Sequence, residues 1–209
     1  MRPQRIILLR HGQAEGNVDE TIFERKPDHR LELTPKGVGE SIAAGKELAT
    51  LLAGEPVAVY VSPYVRTWQT YEALRDAIHV TQVREEPRLR EQDWGNYQDG
   101  ARIATQKAER DTFGHFFYRF ERGESGSDVY DRVSTFFETL HRDFHSDDFP
   151  PNALLITHGL TMRLFLMRWF HWTVPYFESL ENPRNCERRV LQRGPDGRYT
   201  LDEPLPRWK

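Results

Sequence analysis

Residues 6–12 read Ile-Ile-Leu-Leu-Arg-His-Gly, and residues 153–159 read Ala-Leu-Leu-Ile-Thr-His-Gly. In both stretches a short apolar run ends abruptly in polar residues and a His-Gly pair. Continuous apolar runs of this length are typical of strands buried on both faces of a parallel sheet. Because parallel strands end at the same edge of a sheet, the two stretches predict one pocket at the carboxyl edge, built around the imidazoles of His11 and His158.

Strand and helix signals alternate along the rest of the chain. Thr34-Pro35 supplies a capping hydroxyl followed by a proline at the first helical position, which marks the start of a helix. From Val129 to Phe144 apolar residues recur at three- and four-residue steps, so they share one face of a helix. The predicted strands cover 5–9, 57–62 and 153–157. The predicted helices run from Thr34 to about Leu52, over 64–78, after Ser127-Asp128, and from Gly159 to about Phe170, and a hairpin is predicted over 188–201.

These elements predict an α/β fold. The expected architecture is a three-layer α/β/α sandwich with a mostly parallel sheet and an antiparallel edge strand. The stretch from about 88 to 126 interrupts the alternation and is rich in aromatic and charged residues. We expect it to be a small insertion over the carboxyl edge, where open α/β sheets bind ligands. With 209 residues, the chain is expected to form a single domain, 1–209.

Composition narrows the functional classes. The chain is 38% hydrophobic and 29% charged, and its net charge of −3 gives no support for nucleic-acid binding. The single cysteine, Cys186, excludes an internal disulfide and a cysteine-rich zinc site. The chain has no 18-residue apolar run and no signal-peptide pattern at its start, so we expect no membrane span and a cytoplasmic location. The sequence does not indicate an oligomeric state.

Two arginines accompany the histidines. Arg10 precedes His11, and Arg66 follows the strand at 57–62, so both arginines are predicted at the same sheet edge. Guanidinium groups bind a phosphate dianion through a rigid fork of donors. A neutral imidazole whose other nitrogen donates to a backbone carbonyl is a competent nucleophile toward phosphorus. These residues therefore predict phosphoryl transfer at His11, with His158 binding a phosphoryl oxygen.

A carboxyl group and an amide complete the candidate set. A phosphate ester needs a proton for its leaving oxygen, and Glu91 is the candidate donor, with Asp93 as its competitor. Asn17 is a candidate donor to a phosphate oxygen. A zinc site made by His11, His158 and a carboxylate is the alternative chemistry. Two arginines disfavour a divalent cation, and no nucleotide-binding glycine motif is present, so we expect neither metal nor cofactor.

Four motifs, in the expected order, resemble those of the histidine phosphatase superfamily, also called the phosphoglycerate mutase-like superfamily. They are LLRHGQAEGN (8–17), SPYVRTWQT (62–70), LREQDWGNYQ (89–98) and LLITHGLTMR (154–163). The resemblance covers nearly the whole chain. Two further stretches, GESGSDVYDRVS and residues 157–185, resemble a subgroup of small plant and microbial phosphoglycerate mutase-like proteins.

The resemblance implies a metal-independent phosphatase that acts on small phosphorylated metabolites through a phosphohistidine intermediate. It implies that His11 is the nucleophile and Glu91 the proton donor. It also implies a set of residues that hold the phosphoryl group: Arg10, Arg66 and His158, supported by Gln13 and Asn17.

Several departures from the mutase pattern favour hydrolysis. Mutases usually carry a hydroxyl residue where this chain has Ala14 and an aromatic residue where it has Gly16. Their insertion also carries a lysine and paired arginines, whereas the arginines here, Arg119 and Arg122, are separated. The remaining alternatives are a phosphoglycerate mutase, a sugar bisphosphatase, and a non-catalytic module that recognises phosphorylated partners.

Two segments are candidates for contact with the rest of the substrate. The aromatic cluster at 113–120 either lines a pocket for an apolar group or packs the insertion against the body of the domain. Phe23, Arg25 and Lys26 lie in the loop that follows the proposed nucleophile.

Overall fold

The computed structural model describes residues 2–95 and 98–208, and these form a six-stranded sheet flanked by six α-helices. The strands are β1 (Arg5–Arg10), β2 (Val57–Val61), β3 (Val80–Glu85), β4 (Asn152–Thr157), β5 (Arg188–Arg193) and β6 (Tyr199–Leu201). The helices are α1 (Pro35–Leu52), α2 (Val65–Leu74), α3 (Gly100–Phe113), α4 (Gly126–Phe144), α5 (Gly159–Phe170) and α6 (Val174–Glu178).

The strand order is β3-β2-β4-β1-β5-β6. The first four strands in this order are parallel, and β5 and β6 are antiparallel at one side of the sheet. The predicted mostly parallel sheet with an antiparallel edge is therefore confirmed.

Helices cover both faces of the sheet because the central strands carry apolar side chains on both. Ile6 and Leu8 of β1 pack in a core with α4 and α5, whereas Ile7 and Leu9 pack in a second core with α1 and α2. Successive side chains of a strand point to opposite faces, so one continuous apolar run contributes to two cores. This arrangement is the three-layer sandwich that the sequence predicts.

Local capping signals determine where the long helices begin. Thr34 Oγ1 accepts a hydrogen bond from Gly37 N at the start of α1, and Ser125 caps α4 in a reciprocal pair with Asp128. The predicted second helix is shorter than expected, since α2 ends at Leu74 and continues only as a 3-10 turn. No helix in the described ranges is long and apolar enough to cross a lipid bilayer.

Three elements were not predicted. β3 is an edge strand whose residues are half-buried or exposed, so it lacks a continuous apolar run. α3 lies inside the expected insertion and buries only Ile103 and Gln106, which is too narrow an apolar face to recognise from periodicity. α6 has five residues and is marked only by the capping pair Thr173 and Pro175.

The strand register brings three polar residues together at the carboxyl edge. β4 lies between β1 and β2. Just past the strand ends, His11 N donates to Thr157 O and Ser62 N donates to Ile156 O, both at 3.0 Å. His11, His158 and Ser62 therefore follow the ends of three adjacent strands.

The segment between β3 and α4 lies beside this edge and is tied to the body of the protein. Glu178 of α6 accepts hydrogen bonds from His115 N (2.9 Å) and Phe116 N (2.8 Å), just after α3. The Phe116 ring packs edge-on against Phe177, with centroids 5.9 Å apart. A carboxylate and an aromatic pair thus fix the turn that follows α3.

Replacement of Phe136 by alanine tests the core beneath α4. Phe136 is fully buried and packs against Tyr60, so Phe136→Ala is expected to lower the free energy of unfolding by about 3–5 kcal/mol. Phe113→Ala is the matched control because Phe113 is 74% exposed, and we expect it to change stability by about 0.5 kcal/mol or less. Urea denaturation measures both, and equal effects would contradict this description of the core.

Candidate active site

A cleft of about 250 Å³ opens at the carboxyl edge of the sheet. Its walls come from the ends of the central strands, the loop after β1 and the segment that contains α3. The lining residues are Arg10, His11, Ala14, Gly16, Asn17, Glu20, Phe23, Asp28, Leu31, Arg66, Glu91, Trp94, Lys107 and Asn182. Five of the seven predicted site residues line this cleft, and His158 and Gln13 do not.

His11 is 3% exposed and is fixed by hydrogen bonds to both ring nitrogens. Nδ1 lies 2.7 Å from Gly12 O, and Arg66 Nε donates to Nε2 at 3.2 Å. A carbonyl oxygen can only accept, so the ring proton is on Nδ1 and the lone pair is on Nε2. Burial first, and then the charges of Arg66 and Arg10, hold the pKa of His11 well below its ordinary value. The imidazole is therefore neutral.

His158 lies beside His11 and is fully buried. The two rings meet edge-on with centroids 5.1 Å apart. Ser62 Oγ hydrogen-bonds to His158 Nε2 at 2.7 Å, whereas His158 Nδ1 has no partner among residues 2–95 and 98–208. Burial, followed by the nearby charge of Arg66, holds the pKa of this imidazole well below its ordinary value.

Arg66 is held rigidly against His11. Its NH1 group donates to Asp28 O (2.7 Å) and to Asp28 Oδ1 (3.0 Å), and its guanidinium lies 4.7 Å from the centre of the Tyr64 ring. The Arg66 side chain is 6% exposed. Since Nε already faces His11, an anion bound at Nε2 would lie directly against this cation.

Arg10 and Asn17 are anchored by a single segment before β5. Arg10 NH1 donates to Pro183 O at 2.5 Å. Asn185 Nδ2 donates to both His11 O and Asn17 Oδ1, each at 3.2 Å. Because the Asn17 oxygen also accepts from Ala14 N at 3.0 Å, its Nδ2 group is the part of the amide left to donate to a ligand.

The structure distinguishes Glu91 from its competitor Asp93. Glu91 lines the cleft, and its carboxylate accepts hydrogen bonds from Leu160 N and Thr161 N, each at 3.3 Å, in the first turn of α5. This position uses the positive end of the helix to hold a carboxylate. Asp93 is exposed, lies outside the cleft lining, and accepts from Gly95 N in a local turn.

Gln13 does not lie on the cleft wall. Its side-chain oxygen accepts from Thr34 Oγ1 at 2.9 Å, and its backbone N–H donates to Glu40 Oε2 at 2.8 Å. Gln13 thus connects the loop after His11 to the start of α1. Any influence on a bound phosphate would be indirect.

The Gly16 position explains one departure from the mutase pattern. A Cβ atom at Gly16 would lie 2.6 Å from the Phe23 ring and 2.8 Å from Leu31. The absent side chain therefore makes room for Phe23, which lines the cleft. Of the two basic residues that share its loop, Lys26 pairs with glutamates and neither Arg25 nor Lys26 lines the cleft.

The aromatic cluster at 113–120 does not line this cleft. Phe120 is fully buried and stacks on Trp94 with centroids 4.5 Å apart, and Phe116 packs against Phe177. Phe113 and Phe117 are exposed. The buried members pack the insertion, as one of the two interpretations of the sequence predicts.

Six lining residues were not singled out by the sequence: Glu20, Asp28, Leu31, Trp94, Lys107 and Asn182. Lys107 Nζ donates to Glu20 Oε2 at 2.7 Å, which joins α3 to the loop after β1. Trp94 follows Glu91 by three residues within a motif that the sequence singles out. Asn96 and Tyr97 of that motif lie outside the described residues. Asn182 lies in the stretch 157–185 that resembles the subgroup, and no periodicity or motif distinguished the other four.

The described residues, 2–95 and 98–208, contain no group of three His, Cys, Asp or Glu side chains arranged to hold a metal ion. The two imidazoles have guanidinium groups as neighbours, which repel cations and attract anions. The chemistry of this donor set is that of a phosphate-sized anion site.

The buried neutral histidines make stability depend on pH. Near and below pH 6.5 the unfolded chain binds protons at these residues while the folded chain does not, so stability falls as pH decreases. From pH 7 to 5.5 we expect His11 and His158 each to remove up to about 1.4 kcal/mol per pH unit from the free energy of unfolding. Urea titrations at several pH values measure this slope. In His11→Gln the slope should correspond to about one proton fewer than in wild-type protein. An unchanged slope would contradict the assignment of a neutral ring.

Comparison with known proteins gives a family. The sequence profile of the histidine phosphatase superfamily (branch 1) matches residues 6–202. Phosphoglycerate mutase-like protein AT74 of Arabidopsis thaliana is 43% identical over 226 residues, which cover 99% of this chain and 72% of that protein. A broad-range acid phosphatase of Saccharomyces cerevisiae is 29% identical over 303 residues, covering 99% of this chain and 91% of that protein.

Solved structures share the fold. A mycobacterial glucosyl-3-phosphoglycerate phosphatase superposes with a TM-score of 0.74 at 22% identity, covering 96% of this chain and 98% of that one. The resemblance found from the motifs is thus confirmed over nearly the whole chain. The chain belongs to the histidine phosphatase superfamily, branch 1.

Proposed function

We propose that this protein is a phosphomonoester hydrolase that transfers the phosphoryl group of a small phosphorylated metabolite to His11 and then to water. The observation that carries the proposal is the 2.7 Å contact between His11 Nδ1 and Gly12 O, because it puts the ring proton on Nδ1 and leaves the lone pair of a neutral ring on Nε2, where Arg66 Nε donates to it at 3.2 Å. Arg10 and Arg66 line the same cleft as His11. A neutral nucleophile beside two cations suits attack on a phosphate dianion.

In the first step, His11 Nε2 forms a bond to phosphorus as the bond from phosphorus to the alcohol oxygen breaks. Glu91 gives its proton to that leaving oxygen. The charge on the other phosphoryl oxygens is stabilised by Arg10 and Arg66. In the second step, water attacks the phosphorus of the phosphohistidine as the bond from phosphorus to Nε2 breaks, Glu91 takes a proton from that water, and inorganic phosphate leaves.

His158 and Asn17 complete the phosphoryl site in this proposal. If Ser62 donates to His158 Nε2, the proton of the neutral His158 ring lies on Nδ1, which then serves as a buried donor to oxygen. Asn17 contributes its Nδ2 group. Gln13 supports the site indirectly, through the hydrogen bond that ties its side chain to Thr34. The reaction requires neither a metal nor a cofactor.

Hydrolysis is favoured over mutase activity by the basic residues of the insertion. Arg119 pairs with Asp128, Arg122 is exposed, and neither lines the cleft. The yeast relative is a broad-range acid phosphatase. A phosphoglycerate mutase is the second candidate, because Lys107 of the insertion does line the cleft and a relative at 43% identity is mutase-like. Conversion of 3-phosphoglycerate distinguishes the two, and a panel that includes sugar bisphosphates tests the bisphosphatase alternative.

We also propose that residues 1–209 form one domain, with an insertion at about 88–126. We further propose that the protein is located in the cytoplasm. The pairing of β1 with β5 supports the first part, since strands from the two ends of the chain share a sheet. The absence of a membrane-spanning helix from the described ranges is compatible with the second.

Replacement of His11 tests the nucleophile. We expect His11→Ala to abolish phosphate release and to prevent labelling of the protein by a phosphate ester carrying ³²P, because no other group takes the phosphoryl group. Labelled wild-type protein should lose its phosphate in acid and retain it in alkali. The control is His79→Ala, an exposed histidine away from the cleft.

The assay is run with a chelator present. Retained wild-type activity supports the metal-independent route. Turnover by His11→Ala, or loss of wild-type activity with chelator, would refute the proposal.

Replacement of Glu91 tests the proton donor. Glu91→Gln should lower kcat/KM for alkyl phosphates by about 10²–10⁴-fold. It should have a much smaller effect on p-nitrophenyl phosphate, whose leaving group departs without a proton. Asp93→Asn is the matched control and should leave both rates within about twofold. Equal losses on alkyl and aryl esters would argue against this role for Glu91.

A further inference from the structure

One wall of the cleft carries an amide whose orientation is determined by a buried arginine. Asn182 is exposed in the cleft, and Arg163 NH1 donates to its Oδ1 at 3.1 Å. Arginine has no acceptor, so the atom facing it must be the amide oxygen. The Nδ2 group, with two N–H donors, therefore points away from Arg163 and has no hydrogen-bond partner within residues 2–95 and 98–208.

Arg163 is an unusual residue for its place in the fold. It is 1% exposed on α5, and its guanidinium lies 4.5 Å from the centre of the Phe177 ring. Its NH2 group donates to Phe177 O at 3.1 Å, its Nε has no partner, and it forms no ion pair with any described residue of 2–95 or 98–208. Burial lowers the pKa of this guanidinium, and the charges of Glu178 and Glu91 offset part of that effect. The hydrogen bonds of Arg163 go to the Phe177 carbonyl and to the Asn182 side-chain oxygen, so this buried arginine fixes the orientation of the Asn182 amide.

The amide lies next to the proposed proton donor. A Cβ atom at Gly159 would be 3.2 Å from Asn182 Cγ, so the amide covers the first residue of α5. The next residue, Leu160, donates its N–H to Glu91 Oε2. Asn182 therefore borders the side of the cleft where the leaving oxygen of a substrate receives its proton.

The charges in the cleft favour an uncharged leaving group. Arg66 pairs with Asp28 at 3.0 Å and Lys107 pairs with Glu20 at 2.7 Å. A second anion on the substrate would have to compete with Glu20 for Lys107. A hydroxyl group, by contrast, accepts from a neutral amide without displacing an ion pair.

We propose that Asn182 is a specificity-determining residue that donates from Nδ2 to a hydroxyl oxygen of the leaving alcohol, and that Arg163 is the positioning residue that orients the amide. The substrate class is phosphate monoesters of neutral polyhydroxy alcohols. This inference rests on the proposed hydrolase function, and it assigns the residue of the same site that binds the leaving alcohol.

The test compares sn-glycerol 3-phosphate with propyl phosphate, which has the same carbon chain without hydroxyls. We expect wild-type protein to prefer the glycerol ester in kcat/KM. Asn182→Ala should reduce that preference about 3- to 10-fold, which is the effect of one neutral hydrogen bond. The loss should come from a lower kcat/KM for the glycerol ester, with kcat/KM for propyl phosphate unchanged. The matched control is Glu181→Ala, next in the chain and outside the cleft lining.

The outcomes separate the two proposals. If wild-type protein hydrolyses neither ester nor p-nitrophenyl phosphate, the hydrolase function fails and this inference fails with it. If the protein is a phosphatase but shows no preference for the glycerol ester, the inference alone is wrong. The same holds if Asn182→Ala slows both alkyl esters equally, which would make its role structural.

A double-mutant cycle tests Arg163. Arg163→Met fills a similar volume without a charge and should reduce the preference as much as Asn182→Ala does. In the double variant the two effects should not add, because both changes remove the same oriented amide. Arg163→Lys, which retains a donor, should restore part of the preference and replaces Arg163→Met if that variant does not fold. Additive losses would show that Arg163 does not act through Asn182.

Discussion

The parallel pairing of β1 with β4 is the constraint on which the site depends. Its register places Arg10 opposite Thr157, so His11 and His158 leave the sheet side by side, with ring centroids 5.1 Å apart. The helix after β1 packs on one face and the helix after β4 on the other, which opens a crevice between the two strand ends. The imidazoles are thus positioned by sheet hydrogen bonds, and rigid strand ends hold a site more accurately than loops do.

Burying two imidazoles among guanidinium groups has a cost, and the surrounding contacts reduce it by keeping both rings neutral. Gly12 O accepts a hydrogen bond from His11 Nδ1, Ser62 hydrogen-bonds to His158, and Asp28 offsets the charge of Arg66. The features that lower the pKa of the histidines, burial first and nearby cations second, also keep a lone pair on His11 Nε2, which accepts from Arg66 Nε beside the anion site. Arg163 is another buried cation, and it donates to the Asn182 oxygen and so orients an amide that lines the cleft.

The sequence predicted those elements whose signal is local. Apolar runs identified β1, β2 and β4, and a capping threonine followed by proline identified the start of α1. β3 and α3 were missed because each is largely exposed and therefore lacks a strong apolar pattern. Six of the seven predicted site residues converge at one sheet edge because they follow strand ends or lie within recognisable motifs. The seventh, Gln13, has its side chain turned toward α1.

The sequence by itself determined the α/β class, the family and the pairing of two His-Gly strand ends, since all three depend on short stretches of adjacent residues. Only the tertiary structure decided which carboxyl group reaches the cleft, because Glu91 and Asp93 are two residues apart and only Glu91 meets the first turn of α5. It also decided that Asn182 lies on the cleft wall with its oxygen turned toward Arg163. These contacts join residues that are not neighbours in the chain, so they exist only in the folded protein and no local sequence pattern marks them.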